Sequence, residues 1–419
     1  MFKYRIYPRH AAEQNLDTVL RLCQELYNAG LSERKDAYQQ YQRITVIEGS
    51  ERTVAATMTV GRQIRSMSFY GQKRDLVDIK ELRPEYRDLP SHVLQDVLNR
   101  LDKAFAAFFR RLRDGETPGY PRFKGRTRYN SFTYPDGAGW KLTVEARGKK
   151  LKGMLFLSKI GEATVRLHRP LEGRIKTVTI KLEVDQWYVV FSCEVDKPEP
   201  PPLSYEDVGI DLGISHLATL STGEMIEHPR YYRAAEQQLK RRQQAVSRKK
   251  KGSRRRKKAG SLVGKAHRKI ARQRRDFSHK EARKLVSRFQ MIVFEDLQTK
   301  NLVRRPKPKP GEQLGEYLPN GAAAKSGLNK SILDASWGLF VSLCTSKAEE
   351  AGRTLIKVDP KFTTQTCSQC GRRKKKDLSE RWHECECGAD LDRDVNAAKE
   401  VLTRGKRVLA RMGPTSATA

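Results

Sequence analysis

The sequence predicts a multidomain α+β protein: a small N-terminal β-barrel interrupted by helices, then an α/β domain carrying a metal-binding insert. Three observations lead there. Apolar residues recur at helical spacing within 10–116 but at strand spacing from Ser131 to Val195. Two later apolar runs, VGID and MIVFE, read as buried strands that end in carboxylates. Four cysteines, Cys367, Cys370, Cys385 and Cys387, stand as two close pairs.

Composition narrows the possible partners. The 419 residues leave room for two or three domains with real cores. Lys and Arg number 83 against 49 Asp and Glu, a formal net charge of +34. Such an excess repels itself unless a polyanion neutralises it, and nucleic acid is the expected partner. No apolar run approaches the roughly 20 residues of a membrane span, so no membrane partner is expected. The opening MFKYRIYPRH lacks the apolar core of a signal peptide. Seven cysteines, four of them clustered, fit a reducing cytoplasmic setting and a metal site better than a disulfide framework.

FKYRIYP opens the chain as one short strand. Leu16, Val19, Leu20, Cys23, Leu26 and Tyr27 then fall on one helical face, as do Val97, Leu101, Phe105, Phe108 and Leu112, with Gly115 as a stop. KLTV, MLFL, ATVRL, TVTIKLEV and WYVVFSCEV follow as strands parted by Gly and Asp turns. They suggest a small barrel or sandwich, and the first strand would complete the barrel, which makes the helical region an insertion. The expected boundaries are 1–9 with 117–202 for the barrel and 10–116 for the insertion, with KPEPPP (197–202) as a stiff linker.

Residues 203–366 and 388–412 read as the α/β domain, with the insert at 367–387 and a tail at 413–419. Within it, twelve of the nineteen residues from 240 to 258 are Lys or Arg. Apolar positions persist at helical spacing beyond them, the layout of helices with one packed face and one face on phosphates. Lys249, Lys250, Lys251, Arg254, Arg255 and Arg256 are the candidate contacts, joined by Arg122 and Lys124 of YPRFKGR. Residues 303–330 read as a mobile loop, ILDASWGLFVSLCTSKAEEAG as one helix and TLIKVD as a strand.

Asp211 ends VGID, Glu295 ends MIVFE, and LDRDVNAAKEVL offers Asp392 or Asp394 at a helix start. One such Asp is ordinarily a cap. Three acids at the ends of core elements repel one another and call for a cation between them. Hard oxygen ligands suit Mg²⁺ or Mn²⁺, and two such ions can hydrolyse a phosphodiester. Ala397, Ala398, Val401 and Leu402 place the packed face of the last helix on the sheet, which favours Asp394 as the third ligand and Asp392 as the cap.

The four clustered cysteines, C-x₂-C and C-x-C, have the spacing of a structural Zn²⁺ site. The second pair is one residue tighter than usual, so His383 stands as an alternative ligand. Arg372 to Lys376 between the pairs place further positive charge on the insert, while Cys23, Cys193 and Cys344 sit on apolar faces as small core residues.

The ordered set GIDLG, FEDL, TCSQCG, CECG and DRDVNAA, with YRIYP, LYNAGL and YPRFKGRTRYNSFTY ahead of it, resembles the TnpB family. TnpB proteins are transposon-encoded RNA-guided DNA endonucleases, related to compact type V CRISPR effectors. The resemblance implies an oligonucleotide-binding-like wedge barrel with a helical recognition insertion, then an RNase H-like (RuvC) nuclease domain carrying a zinc ribbon. It implies Asp211, Glu295 and Asp394 as nuclease acids that hold magnesium. It also implies a guide RNA encoded near the protein's own gene, a double-stranded DNA target with a short adjacent motif, and one chain per RNA. The setting it implies is the prokaryotic cytoplasm, with the protein on the nucleoid when bound to DNA. A CRISPR effector, an RNA-guided repressor that binds without cutting and a DNA-joining transposase remain alternatives. GIDLG also opens the phosphate hairpin of actin-like ATPases, but the further Gly-rich phosphate loops such a fold needs are missing from the sequence.

Overall fold

The structure, a computed structural model, describes residues 1–45, 68–147, 150–195, 206–313, 315–377 and 379–412. The chain divides into two compact units, Met1–Asp196 and Lys197–Ala419. The expected linker at 197–202 and tail at 413–419 lie outside the described residues. No helix among the described residues is long and apolar enough to cross a membrane.

Among the described residues, the first unit is built on seven strands: β1 (Phe2–Pro8), β2 (Ser131–Tyr134), β3 (Trp140–Arg147), β4 (Lys150–Leu157), β5 (Gly161–Leu167), β6 (Arg174–Glu183) and β7 (Gln186–Glu194). They pair antiparallel in the order β2-β6-β7-β1-β5-β4-β3. The first strand takes a central place: Phe2 to Arg5 pair with β7, and Arg5 to Pro8 pair with β5. Where the sequence predicts a barrel, the sheet is curled but its two edge strands do not pair. β2 and β3 are the two edges of a curled, open half-barrel. The β2 edge is met by helix Ser91–Arg113, whose Arg100 donates to the Ser131 carbonyl (2.8 Å).

Helices His10–Thr45 and Ser91–Arg113 bury their periodic faces against this sheet. Leu16, Val19, Leu20, Cys23, Leu26 and Tyr27 are all buried, as are Val97, Leu101 and Phe105. The second face ends earlier than its pattern, since Leu112 is exposed. Asn28 of LYNAGL has a specific task. Its amide donates to the Lys124 carbonyl (3.0 Å) and accepts from the Lys124 N–H (2.8 Å), while Gln24 donates to the same carbonyl (2.7 Å). The basic YPRFKG segment is thereby pinned to the first helix.

The second unit is built on β8 (Val208–Asp211), β9 (His216–Leu220), β10 (Met225–Glu227), β11 (Met291–Glu295) and, later in the chain, Thr354–Val358. Two small hairpins accompany them, β12 (Lys309–Pro310) with β13 (Tyr317–Leu318), and β15 (Trp382–Glu384) with β16 (Asp390–Asp392). With Thr354–Val358 as β14, the main sheet runs β10-β9-β8-β11-β14. β8, β11 and β14 are parallel, and β9 and β10 return antiparallel. Helices cover both faces, as a parallel sheet requires. Helix Arg254–Arg288 and the helices around Trp337 share one core with the sheet, and helix Arg393–Met412 closes the other.

Two sequence expectations change. Residues 303–330 contain the β12–β13 hairpin and the start of helix Ala322–Ala335. Lys325 and Asn329 tie that helix back to the Leu302 and Val303 carbonyls (2.7 and 2.9 Å). The single helix expected over 332–352 breaks at Ser336, which takes a left-handed φ of 57° and caps both halves. Asp334, just before the break, accepts from the Tyr232 N–H (2.9 Å) and from Arg274 (2.6 Å). A buried acid thus pays for its desolvation with an arginine and a helix N-terminus.

Candidate active site and metal centre

Strand alternation decides which side chains can meet. In β11, Ile292 and Phe294 enter one core, while Met291 and Val293 face helix Arg393–Met412. Glu295 therefore falls on that helix's side. In β8, Val208 and Ile210 enter the first core, which leaves Gly209 and Asp211 on the same side as Glu295. Ile210 lies opposite Phe294 in the parallel register, so Asp211 and Glu295 end adjacent strands side by side. This is the carboxyl edge of a parallel sheet, where open α/β folds place their ligands.

Two glycines let the covering helix come close. A Cβ on Gly209 would lie 2.1 Å from the Ala398 carbonyl oxygen, and one on Gly405 would lie 2.4 Å from a Val293 methyl. Seated this deeply, the helix brings Asp394, in its first turn, to the edge that holds the other two acids.

Asp211 and Glu295 are 8% and 6% exposed. Burial pushes the Asp211 carboxyl well above the ordinary carboxylate range, and the nearby charges of Glu295 and Asp394 push it further. Burial also raises Glu295, against the opposing effect of hydrogen bonds from Thr363 and Asp211. Asp394 is half-buried and accepts from Arg393 Nε (3.2 Å), with an Arg381 nitrogen 4.0 Å from its other oxygen. It acts on Asp211 by charge without joining a closed ligand group. Buried, crowded oxygen donors are the set a hard divalent cation fits, because the cation offsets both their desolvation and their mutual repulsion.

Asp392 does different work. Its Oδ1 accepts from the N–H groups of Asp394 (2.8 Å) and Val395 (3.1 Å), the N-cap of the helix. Two further residues escaped the sequence reading. Thr363, 2% exposed, donates its hydroxyl to Glu295 Oε1 at 2.5 Å. Asn396, fully buried, donates to the Thr366 carbonyl (2.8 Å) and accepts from the Ser368 N–H (2.9 Å). Asn396 lies within the recognised DRDVNAA motif, whereas nothing in TTQT marks Thr363.

The four cysteine sulfurs lie within 4.8 Å of one another, with Cys367–Cys387 and Cys370–Cys385 each at 3.6 Å. Sulfurs around a tetrahedral zinc at about 2.3 Å stand close to this far apart, so the thiols fit that metal. Each pair ends in a tight turn closed by a glycine, Gly371 at φ 74° and Gly388 at φ 86°. Among the described residues this is the only such converging group of Cys, His or acid ligand atoms, and His383 is not in it. His383 is buried with Nδ1 against Lys376. The second cysteine pair lies in the β15–β16 hairpin, which runs directly into Asp392 and the helix.

The basic candidates separate by exposure. Helices Tyr231–Ser247 and Arg254–Arg288 pack through Leu239, Ala266 and Ile270. Lys250, Lys251, Arg254 and Arg255 are exposed around the turn between them, and Lys249 is half-buried. Arg256 is turned inward, donating to the Val246 and Lys249 carbonyls (3.1 and 2.9 Å). In the first unit, Arg122 is exposed and lines a cleft with Lys124, Tyr27, Phe108 and Tyr120.

A parallel sheet with paired acids at its carboxyl edge, beside a four-cysteine knuckle pair, defines a nuclease-like class, and comparison with known proteins is consistent with it. Residues 190–305 match the family described as "Probable transposase", residues 337–401 the "Cas12f1-like, TNB domain", and residues 1–43 a "Helix-turn-helix domain". A candidate RNA-guided DNA endonuclease of Streptomyces pristinaespiralis is 32% identical over 96% of this chain and 89% of its own length. A candidate RNA-guided DNA endonuclease of Escherichia coli K12, InsQ, is 33% identical over 77% of each chain. Among solved structures, a Cas12f1–sgRNA–target DNA complex superposes with a TM-score of 0.53 at 12% identity, over 93% of this chain and 82% of the other. The chain belongs to the TnpB family.

Proposed function

We propose that this protein is an RNA-guided, metal-dependent DNA endonuclease, associated with a transposon, that cuts double-stranded DNA matching its guide. The observation that carries this is the Asp211–Glu295 pair, buried at the sheet edge beneath a helix that brings Asp394 alongside. Its relatives from Streptomyces and Escherichia coli are named for RNA-guided DNA cleavage.

The residues have distinct tasks in this reading. Asp211, Glu295 and Asp394 would hold the divalent cations. When bound, two such ions supply an activated water and charge stabilisation at the leaving oxygen. Thr363 holds Glu295 in place, and Asp392 caps the helix that carries Asp394. The cysteines hold one structural zinc, and residues 367–387 form the zinc ribbon. The first unit serves as wedge, with 10–116 as recognition insertion, and reads the motif beside the target. Lys250, Lys251, Arg254 and Arg255, with Arg122 and Lys124, contact nucleic-acid phosphates, with RNA–DNA pairing carrying the sequence information.

The test is reprogramming. Protein copurified with its RNA is given guides for two different targets in Mg²⁺. The cut should follow the guide, and Asp211→Ala and Glu295→Ala should retain RNA but not cut. Cleavage that ignores the guide overturns the proposal.

A further inference from the structure

We propose that Thr363 is the positioning residue for Glu295, and that the turn carrying it is held in a strained form by the first cysteine knuckle for that purpose. The inference rests on the proposed metal role of Glu295.

The hydroxyl of Thr363 is 2.5 Å from Glu295 Oε1 and 3.1 Å from the Pro360 carbonyl, in a position 2% exposed. The Thr363 hydroxyl is a neutral donor to the Glu295 carboxyl. The Arg404 guanidinium nearby is occupied by Glu400 and by the Asp359 and Lys361 carbonyls. With that guanidinium engaged elsewhere, the threonine hydroxyl is placed to fix the orientation of the Glu295 carboxylate. Partners of this kind set the direction and basicity of a metal-binding oxygen.

The backbone around Thr363 supports a dedicated role. Phe362, immediately before it, has φ 63°, an outlier for a bulky side chain. Such strain persists only where the surroundings over-determine it. They do so from two sides. Arg373, between the cysteine pairs, stacks 3.8 Å over the Phe362 ring, and Thr366 bridges to Arg373 just before Cys367. Arg404 of the covering helix donates to the Asp359 (2.9 Å) and Lys361 (2.8 Å) carbonyls of the same segment. Thr366 also donates its hydroxyl to the Phe362 carbonyl (2.8 Å). The knuckle and the helix thus clamp one turn, and that turn presents one hydroxyl to Glu295.

The experiment compares Thr363→Val, which keeps shape and removes the hydroxyl, with Thr363→Ser, which keeps the hydroxyl. Free Mn²⁺ is measured by electron paramagnetic resonance during titration of the purified protein–RNA complex, with Glu295→Gln as the reference for a lost ligand. Thr363→Val should weaken Mn²⁺ binding about tenfold, and the Mg²⁺ needed for half-maximal cleavage should rise by the same factor. Thr363→Ser should bind as the parent does. Thermal melting of each variant separates lost positioning from lost fold, and Thr363→Ala replaces the valine variant should that one not be isolable. Parent-like Mn²⁺ binding by the valine variant overturns the proposal. So does a serine variant as impaired as the valine one. Because Mn²⁺ binding is read without DNA, the result stands apart from whether cleavage is guided.

Discussion

Asp392 and Asp394, two residues apart, face different partners: Asp392 accepts the helix's own N–H groups, Asp394's at 2.8 Å among them, while Asp394 itself faces Arg393 and the sheet edge. One acid holds the helix, and the charge of the other bears on Asp211. Asp394→Ala should abolish cleavage with RNA loading unchanged. Asp392→Ala should cost about 1 kcal/mol of stability, the usual value of an N-cap, and still cut. Parallel cleavage and melting assays at saturating Mg²⁺ check both. A dead Asp392 variant beside an active Asp394 variant would reverse the roles.

Burial, together with the neighbouring carboxylates, should make Asp211→Asn stabilising in metal-free protein. The folded state raises Asp211 above its ordinary 3.8, so it binds a proton that the unfolded chain has released. Stability from this group is therefore full at acid pH and falls as pH climbs from that value through the raised one. Urea midpoints in a chelator should favour the asparagine variant near pH 8, with the gap closing toward pH 5. A gap that widens in acid would contradict this.

Gly209→Ala should be the most damaging single methyl group added to the second unit. Its Cβ would meet backbone atoms, the Ala398 oxygen at 2.1 Å, whereas Gly405→Ala meets a Val293 methyl at 2.4 Å. Overpacking against a fixed backbone should cost about 3 kcal/mol, the upper end of the usual range, and displace the acid-bearing helix. Denaturant titration of the two variants should rank Gly209→Ala as the less stable.

The four cysteines predict one zinc per chain. Cys370→Ser should lower zinc content and soluble yield together, since binding the metal is part of folding that segment. Elemental analysis of parent protein that finds no zinc would remove the assignment.

Neutralising Lys249, Lys250 and Lys251 should reduce the slope of log affinity against log salt by two to three units, at about 0.9 per lost phosphate contact. Arg256→Gln should act on stability instead, because its guanidinium is spent on the Val246 and Lys249 carbonyls. Filter binding at several salt concentrations distinguishes the two.

The acids were legible in the sequence because Asp211 and Glu295 interrupt apolar runs, where an unpartnered charge is costly. The cysteines were legible from spacing alone. Thr363 was not, because a threonine in TTQT carries no periodic signal, and its contact with Glu295 spans 68 residues of sequence. The open edges of the first sheet were equally hidden, since alternation reports which face is buried and says nothing of whether two edges meet. The break at Ser336 was masked by continuous apolar spacing on either side of it.

The dependence of the sheet on helix Arg393–Met412 also orders events during synthesis. Chains emerge from the ribosome N-terminus first. Until residues 393–412 have appeared, Met291, Val293, Ile356 and Val358 have no covering helix, and the strand ends carry two of the three carboxylates. A nascent chain stopped before Arg393 would thus be sticky and catalytically silent at once. Premature termination would leave a target for chaperones or proteases, never a loose nuclease.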